Sequence, residues 1–573
     1  MTSPGSTPLP ATGPSGPQVS PTVRPGPAGP PAAAQPRPGP AAPTLARPPG
    51  LIERRWPGPA GPAGPLVLAA LTAAAVVGAS TLTMVRPGLG WLVAALAGTA
   101  ALVTASVVRS RTLTSAADVT RPTAATATAT PTATTAAAAT ARPGATGAPG
   151  RVAQVVWAAA TVVLVAVGTV RAAGWLFALC LLAAAVTGTL AVTGGRSPLG
   201  MLVAATLPPA ATVRALPWAV RGLRSGRPTG SGIEVGRIIT SLAISAGLLL
   251  LFGVLFSSAD AVFADLVTGL LPDISVPGVI GWAFRLLLIG GGLLGAAYLV
   301  SRPPDLEGLR PAPSRPAHRL EWTLPLVLLD ALFAAFVLVQ LTVLFGGAGH
   351  VLRTAGLTYA QYARGGFWQL LAVTALTLLV IAIAARRAPK ATPGDRLLVR
   401  VLLGTLAALS LVIVASALYR MQVYADAYGA TRLRLVVSAV EIWLGLLFIL
   451  VGVAVVRLRA EWLPRLVVGT AALALLGLAL LNPDRLIAER NVDRYLETGR
   501  LDVGYLSGLS ADAVPALDRL PEPMRSCALG EIAAELPRDG FWAANLGRER
   551  ARRVLDTTPV SAGVTDCLGL QRW

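Results

Sequence analysis

The sequence predicts an all-α polytopic transmembrane bundle of about eleven spans with a small helical extracytoplasmic C-terminal domain. Three observations predict it. The 573 residues are 54% hydrophobic and only 13% charged, with mean hydropathy +0.63, which is more apolar surface than a water-soluble core of this size buries. Nearly uncharged stretches recur that are long enough to cross a ~30 Å hydrocarbon layer as helices. The basic residues, all Arg except Lys390, fall between those stretches in an alternating pattern.

The elements follow in order. Residues 1–65 are dominated by Pro, Gly and Ala with few side chains to pack, and read as a disordered tail. Spans are expected at 66–85, 89–108, 153–170, 174–193, 237–256 and 278–300. Five more are expected at 322–346, 367–385, 397–419, 433–456 and 463–481. Their backbone amides can be satisfied in lipid only within helices, because the runs lack strand length and alternation. The short links 86–88 and 171–173 make the first four spans two hairpins, separated by a Thr/Ala-rich low-complexity linker at 112–150. Residues 194–236 read as a cytoplasmic or interfacial segment. Within it, the apolar stretch 199–213 contains Pro208 and Pro209 and has arginines on both sides, which favours a segment that does not cross; if it crosses, the parity changes.

Sidedness comes from the basic residues, which resist translocation. The tail and alternate loops carry 26 Arg and Lys against 6 in the other loops, which predicts a cell-membrane protein with its tail in the cytoplasm. An odd number of spans then places residues 482–573 outside. From Pro483 onward there are 12 Arg and 14 Asp or Glu, a net of −2, whereas the rest of the chain carries +22.

Four strings resemble an uncharacterised bacterial multi-pass membrane family, a domain of unknown function (numbers 4153 and 4173). They are LFSSADAVFADL at 255–266, GLTYAQYARGGFWQLLAV at 356–373, SALYRMQVYADAYGATRLRL at 416–435 and NPDRLIAERNVDRYLETGRLDVGYLSGLSADAVPAL at 482–517. The resemblance covers roughly 235–520. It implies topology and membership, with no catalytic assignment.

Three ionisable residues fall inside spans, Arg285, Asp330 and Glu441. A charge there is costly, so each is expected to face the bundle or water beside a partner. Arg285 with Asp330, and Glu441 with Arg434 or Arg420, are the pairs their positions allow. A structural ion pair and a proton or substrate relay both fit. The external loop 257–278 holds Asp260, Asp265 and Asp273 without a basic residue. It reads either as a carboxylate site or as a helix capped by Ser257 or Ser258. Tyr359, Tyr362 and Arg364, and Tyr419, Arg420, Tyr424 and Asp426, lie at expected outer interfaces, as headgroup anchors or a lipid or substrate pocket.

The GxGxxG at Gly290, Gly292 and Gly295 lies within a span and has no βαβ context; Gly291 and Gly295 fit close helix packing instead. Asn482 and Pro483 open the C-terminal domain as N-cap and first helical residue, and Ser510 is a further candidate cap. Cys527 and Cys567 can form a disulfide if that domain is extracytoplasmic. Cys180, Cys527, Cys567, His318 and His350 make no metal-ligand spacing, so no catalytic, metal or cofactor site is expected. Nucleic acid is not an expected partner, because the Arg residues form no patch interleaved with stacking aromatics. The lipid bilayer is the expected partner, with other membrane or envelope proteins. Three functional readings stay open: a structural, sensory or assembly-related envelope protein, more in keeping with a chain that is not an enzyme; a secondary transporter; and a lipid-linked glycosyl or acyl transferase.

Overall fold

The computed structural model describes residues 56–119, 148–195, 198–225, 235–260, 276–304, 318–345 and 367–560 apart from residue 537, together with Phe263, Leu306 and Cys567. Among them there is no strand. The helices are α1 Pro65–Thr81, α2 Leu89–Val119, α3 Ala148–Val170, α4 Gly174–Thr193, α5 Pro198–Ser225 and α6 Val235–Ala259. They continue with α7 Val276–Ser301, α8 Arg319–Phe345, α9 Phe367–Arg387, α10 Pro393–Tyr428, α11 Arg432–Arg457 and α12 Leu463–Leu481. The C-terminal domain follows with α13 Pro483–Thr498, α14 Val503–Ser507, α15 Val514–Leu517, α16 Met524–Ala534 and α17 Leu546–Thr557. Ten helices among the described residues are long and apolar enough to cross a membrane, and α1 is a shorter apolar helix of 17 residues. The chain is a multi-pass membrane protein.

Two packed groups make up the bundle. Residues of α1, α2, α5 and α7 share one buried cluster around Leu71, Ala211, Ala215 and Tyr298. α8, α9, α10 and α11 share another around Leu403, Leu406, Ile381 and Phe448. α12 packs with α3 and α4 through Ala472, Leu478 and Ala479.

α5 has the composition and length of a span, yet it does not run from one end of the bundle to the other. Its first turns, Met201 and Ala204, pack with Leu190 near the end of α4 and with Leu306 after α7. Near its other end Trp218 accepts a hydrogen bond from Ala63 N–H, just before α1, and packs edge-on against Tyr298 near the end of α7. Both ends of α5 therefore lie at the end of the bundle where α1 begins, called here the far end. Its middle dips inward, where Thr212 Oγ1 donates to Gly291 O at 3.0 Å. A Cβ on Gly295 would stand 2.8 Å from Thr212 N, so the small residue there is what lets the two backbones touch. Pro208, Pro209 and Pro217 each remove a backbone donor inside this helix.

Some boundaries move from the sequence expectation. α2 continues to Val119, into the segment read as linker from 112. α10 has 36 residues, because a Thr392/Asp395 capping box starts it early and it continues through Tyr428. Tyr419, Arg420, Tyr424 and Asp426 are thus helical. Ser257 and Ser258 lie in the last turn of α6 and do not cap a following helix; Asp260 Oδ1 instead accepts the Phe263 N–H at 3.1 Å.

Several arginines, three within helices and one between them, complete the ends of neighbouring helices. A helix leaves its last carbonyls without intrahelical donors, and in an apolar bundle water does not supply them. Arg285 Nε donates to Ala79 O at the end of α1 (3.0 Å), and Arg109 Nη1 to Val300 O at the end of α7 (2.7 Å). Arg400 Nε reaches Val456 O at the end of α11 (3.0 Å). Arg171 donates to both Ala479 O and Leu480 O at the end of α12 (2.6 and 3.0 Å). Each places a cation where the helix dipole is negative.

Candidate functional site: the joint between bundle and C-terminal domain

The last span and the C-terminal domain are one residue apart. Asn482, at φ 53°, is both the residue that ends α12 and the residue that precedes α13, where Pro483 supplies the first helical position. Asn482 makes no side-chain cap bond, and neither does Ser510. The turn instead delivers Asp484 directly beneath the domain.

Asp484 is fully buried, and its two oxygens accept four hydrogen bonds. Arg432, the first residue of α11, donates to it from Nε at 2.9 Å and from Nη2 at 2.7 Å. Trp175 Nε1 donates at 3.2 Å from the start of α4, and Ser510 N–H at 2.9 Å from the domain itself. Burial, the largest influence, pushes the Asp484 carboxyl up; the Arg432 guanidinium and the Ser510 donors more than offset it and hold the group below the usual carboxylate range. The Arg432 backbone N–H also donates to Tyr505 Oη at 2.6 Å.

Asp512 is the second contact. Its Oδ2 accepts the Ala172 and Ala173 N–H groups at 2.7 and 3.2 Å, directly before α4, so a carboxylate occupies a helix N-terminus. Burial pushes this carboxyl above its usual value despite those donors and Arg171. Asn545 completes the third contact. Its Oδ1 accepts the Arg548 N–H to cap α17, while Nδ2 donates to Gly168 O and Arg171 O, both at 2.8 Å, at the end of α3. Arg548 joins Asp539 at 2.7 Å and donates to Pro87 O at 3.0 Å in the α1–α2 link. Leu89 N–H donates to Ala544 O at 3.0 Å. Asn491 Nδ2 donates to Ala430 O at 2.8 Å in the α10–α11 link.

The domain therefore grips three inter-helix links at once, 82–88, 171–173 and 429–431, all at the end of the bundle opposite the start of α1. Its own core is apolar, with Ile487, Ala488, Val514, Leu517, Ala528 and Leu529 almost fully buried. Cys527 and Cys567 are joined as a disulfide, with Cα atoms 5.6 Å apart and a sequence separation of 40.

The intramembrane candidates do not assemble. Arg285 serves the end of α1, and no ion pair joins it to Asp330. Both oxygens of Asp330 are enclosed without a hydrogen-bond partner among the described residues, and so is Oε2 of Glu441, a residue only 4% exposed. Glu441 pairs with neither suggested arginine. Arg434 lies 4.3 Å over the Tyr424 ring and donates to Tyr428 O and Gly429 O, whereas Arg420 donates to Gln340 Oε1, which also accepts from Ser416. Tyr419 is half exposed, Asp426 is exposed, and the Tyr424 and Tyr428 rings lie tilted to one another with centroids 4.9 Å apart. Asp265, Asp273, Tyr359, Tyr362 and Arg364 lie outside the described residues. No group of three His, Cys, Asp or Glu residues suited to a metal occurs among the described residues.

Residues 159–520 match the family described as domain of unknown function DUF4153. The chain belongs to the DUF4153 family. No curated protein and no solved structure matches it. The DUF4153 match begins in α3, well before the roughly 235 at which the resemblance starts, and so takes in α4 and α5. It also takes in part of the joint and ends before Asn545 and Arg548. Arg432, Asp484, Tyr505 and Asp512 all lie in the two strings 416–435 and 482–517 that carry the resemblance to DUF4153. In the fold, both strings contribute to the contact between span and domain; sequence reasoning found them without finding what they do. Arg171 and Asn545 carried no sequence signal, since nothing links them until the chain folds.

Proposed function

We propose that this protein is a cell-membrane platform: a rigid bundle that holds its C-terminal domain fixed on the extracytoplasmic face, with its N-terminus in the cytoplasm, as a structural, sensory or assembly component for other membrane or envelope proteins. The observation that carries this reading is the joint, in which buried Asp484, Asp512 and Arg548 tie the domain to three separate links of the bundle. The 26 to 6 distribution of basic residues supports the orientation, because the poorer loops include those at the domain end. A disulfide in the domain fits an oxidising compartment.

A second reading, secondary transport, is favoured by one observation: Asp330 and Glu441 are carboxyls enclosed in the bundle without hydrogen-bond donors. One comparison separates the two. In a strain dependent on the gene under envelope stress, Asp484→Asn is expected to behave like a deletion, whereas Asp330→Asn with Glu441→Gln is expected to restore growth. Loss of growth in the double carboxyl variant, with the joint variant fully active, would overturn the platform reading. Reporter fusions at the two termini check the orientation separately.

A further inference from the structure

The 3-10 turn Phe541–Ala543 carries an aromatic pair that the joint does not use. Phe541 is 70% exposed and Trp542 40%, with their rings edge-to-face at 4.9 Å. The position of this pair decides what it meets. Leu89, the first residue of apolar α2, donates its N–H to Ala544 O at 3.0 Å, so the pair stands at the height where the hydrocarbon begins. A few residues away in the chain that precedes α2, Met84 and Val85 are exposed as well.

Along the same segment the surface turns basic. Arg171 sits on the last carbonyls of α12, where Leu480 and Leu481 face outward. Arg485 follows one turn after those carbonyls, in an exposed pair with Glu489 at 2.7 Å, and Arg550 is exposed on α17; burial is the largest cause that lowers the Arg171 pKa, Asp512 opposes it, and Arg550 and Arg485 add smaller lowering contributions. The exposed Leu480 and Leu481 of α12 thus lead directly into the turn that carries Arg485.

We propose that this rim is a lipid seat, with Phe541 and Trp542 lying in the headgroup layer of the leaflet at the domain end and Arg171, Arg485 and Arg550 binding lipid phosphates. An aromatic pair at the edge of an apolar span sits where amphipathic rings are most stable, at the headgroups. Guanidiniums held near one another are stabilised by an anion between them, and phosphate matches their planar fork. The seat does not depend on which leaflet faces the cytoplasm.

The test uses the full chain in lipid nanodiscs. With Cys180→Ala and the native disulfide kept, Phe541→Cys and Glu535→Cys are labelled with an environment-sensitive fluorophore. Glu535 ends α16, which packs on α14 and α15 within the domain. The expected result is a blue-shifted probe at 541 that shallow spin-labelled lipids quench, and a water-like, unquenched probe at 535. Equal, water-like emission at both positions overturns the seat. Phe541 is exposed, so its replacement leaves the core intact. In a second arm, native mass spectra compare phosphatidylglycerol with a neutral glycolipid that has no phosphate. Arg485→Gln with Arg550→Gln is expected to lower retained phosphatidylglycerol about threefold or more and to leave the glycolipid unchanged; equal retention of phosphatidylglycerol overturns the phosphate assignment.

Discussion

The joint and the bundle interior both bury carboxylates, and they treat them in opposite ways. At the joint, Asp484 accepts four hydrogen bonds and Asp512 two. Inside the bundle, Asp330 and the Oε2 of Glu441 have no donor among the described residues. A buried carboxylate with donors on several elements fixes those elements to one another, while one without donors is tolerated chiefly in its neutral form. The first kind specifies an arrangement. The second specifies little.

The sharpest way to break this contrast is at the pair Arg432–Asp484. Asp484→Leu leaves a guanidinium facing an apolar wall, and the loss is expected near about 3 kcal/mol, at the low end for a buried pair because Arg432 is 33% exposed. Limited proteolysis in nanodiscs should then release the C-terminal domain while the spans stay folded. Next comes the disulfide. Cys527→Ser with Cys567→Ser is expected to cost about 2 to 4 kcal/mol for a loop of this size and to loosen α16 and the chain after it. Thermal unfolding with and without reductant measures this.

Gly547→Ala is a smaller steric probe. A Cβ there would collide with the Asp512 carboxylate, so about 1 to 3 kcal/mol is expected, read as faster cleavage after α17. Acid separates the two joint carboxylates by sign. Asp484 titrates below its unfolded value of about 3.9, so its contribution is complete above that pH and is lost as pH falls through the lower folded value. Asp512 titrates above its unfolded value, so ionising it weakens the fold as pH rises from about 3.9 through the raised folded value. Asp512→Asn keeps an acceptor for the two N–H groups and is expected to be neutral or slightly stabilising at pH 7, with the difference fading in acid. Asp330→Asn and Glu441→Gln should be the smallest of all, within about 1 kcal/mol in thermal melts, because a neutral amide replaces an already enclosed carboxyl.

Much of the bundle was legible because the length of an uncharged run is set by the thickness of the bilayer. The extension of α10 through Tyr428 was not, because a polar helix projecting beyond the bilayer leaves no hydropathy signal. The roles of Arg171, Arg285 and Arg400 were hidden for another reason. An arginine that completes a neighbouring helix is identical in sequence to one that merely stays on its side of the membrane, and only the fold names the carbonyl it serves.

The single-residue connection at Asn482 has a mechanical consequence. With no linker between α12 and α13, the last membrane helix and the first helix of the domain move as one bent rod, and Asp484 pins the elbow of that rod to α11. Because Asp512 and Arg548 hold the same domain to two further links, a change of membrane thickness or tension that tilts α12 would pass through the elbow to α4, α11 and the α1–α2 link together, which makes the domain a yoke across the ends of the bundle.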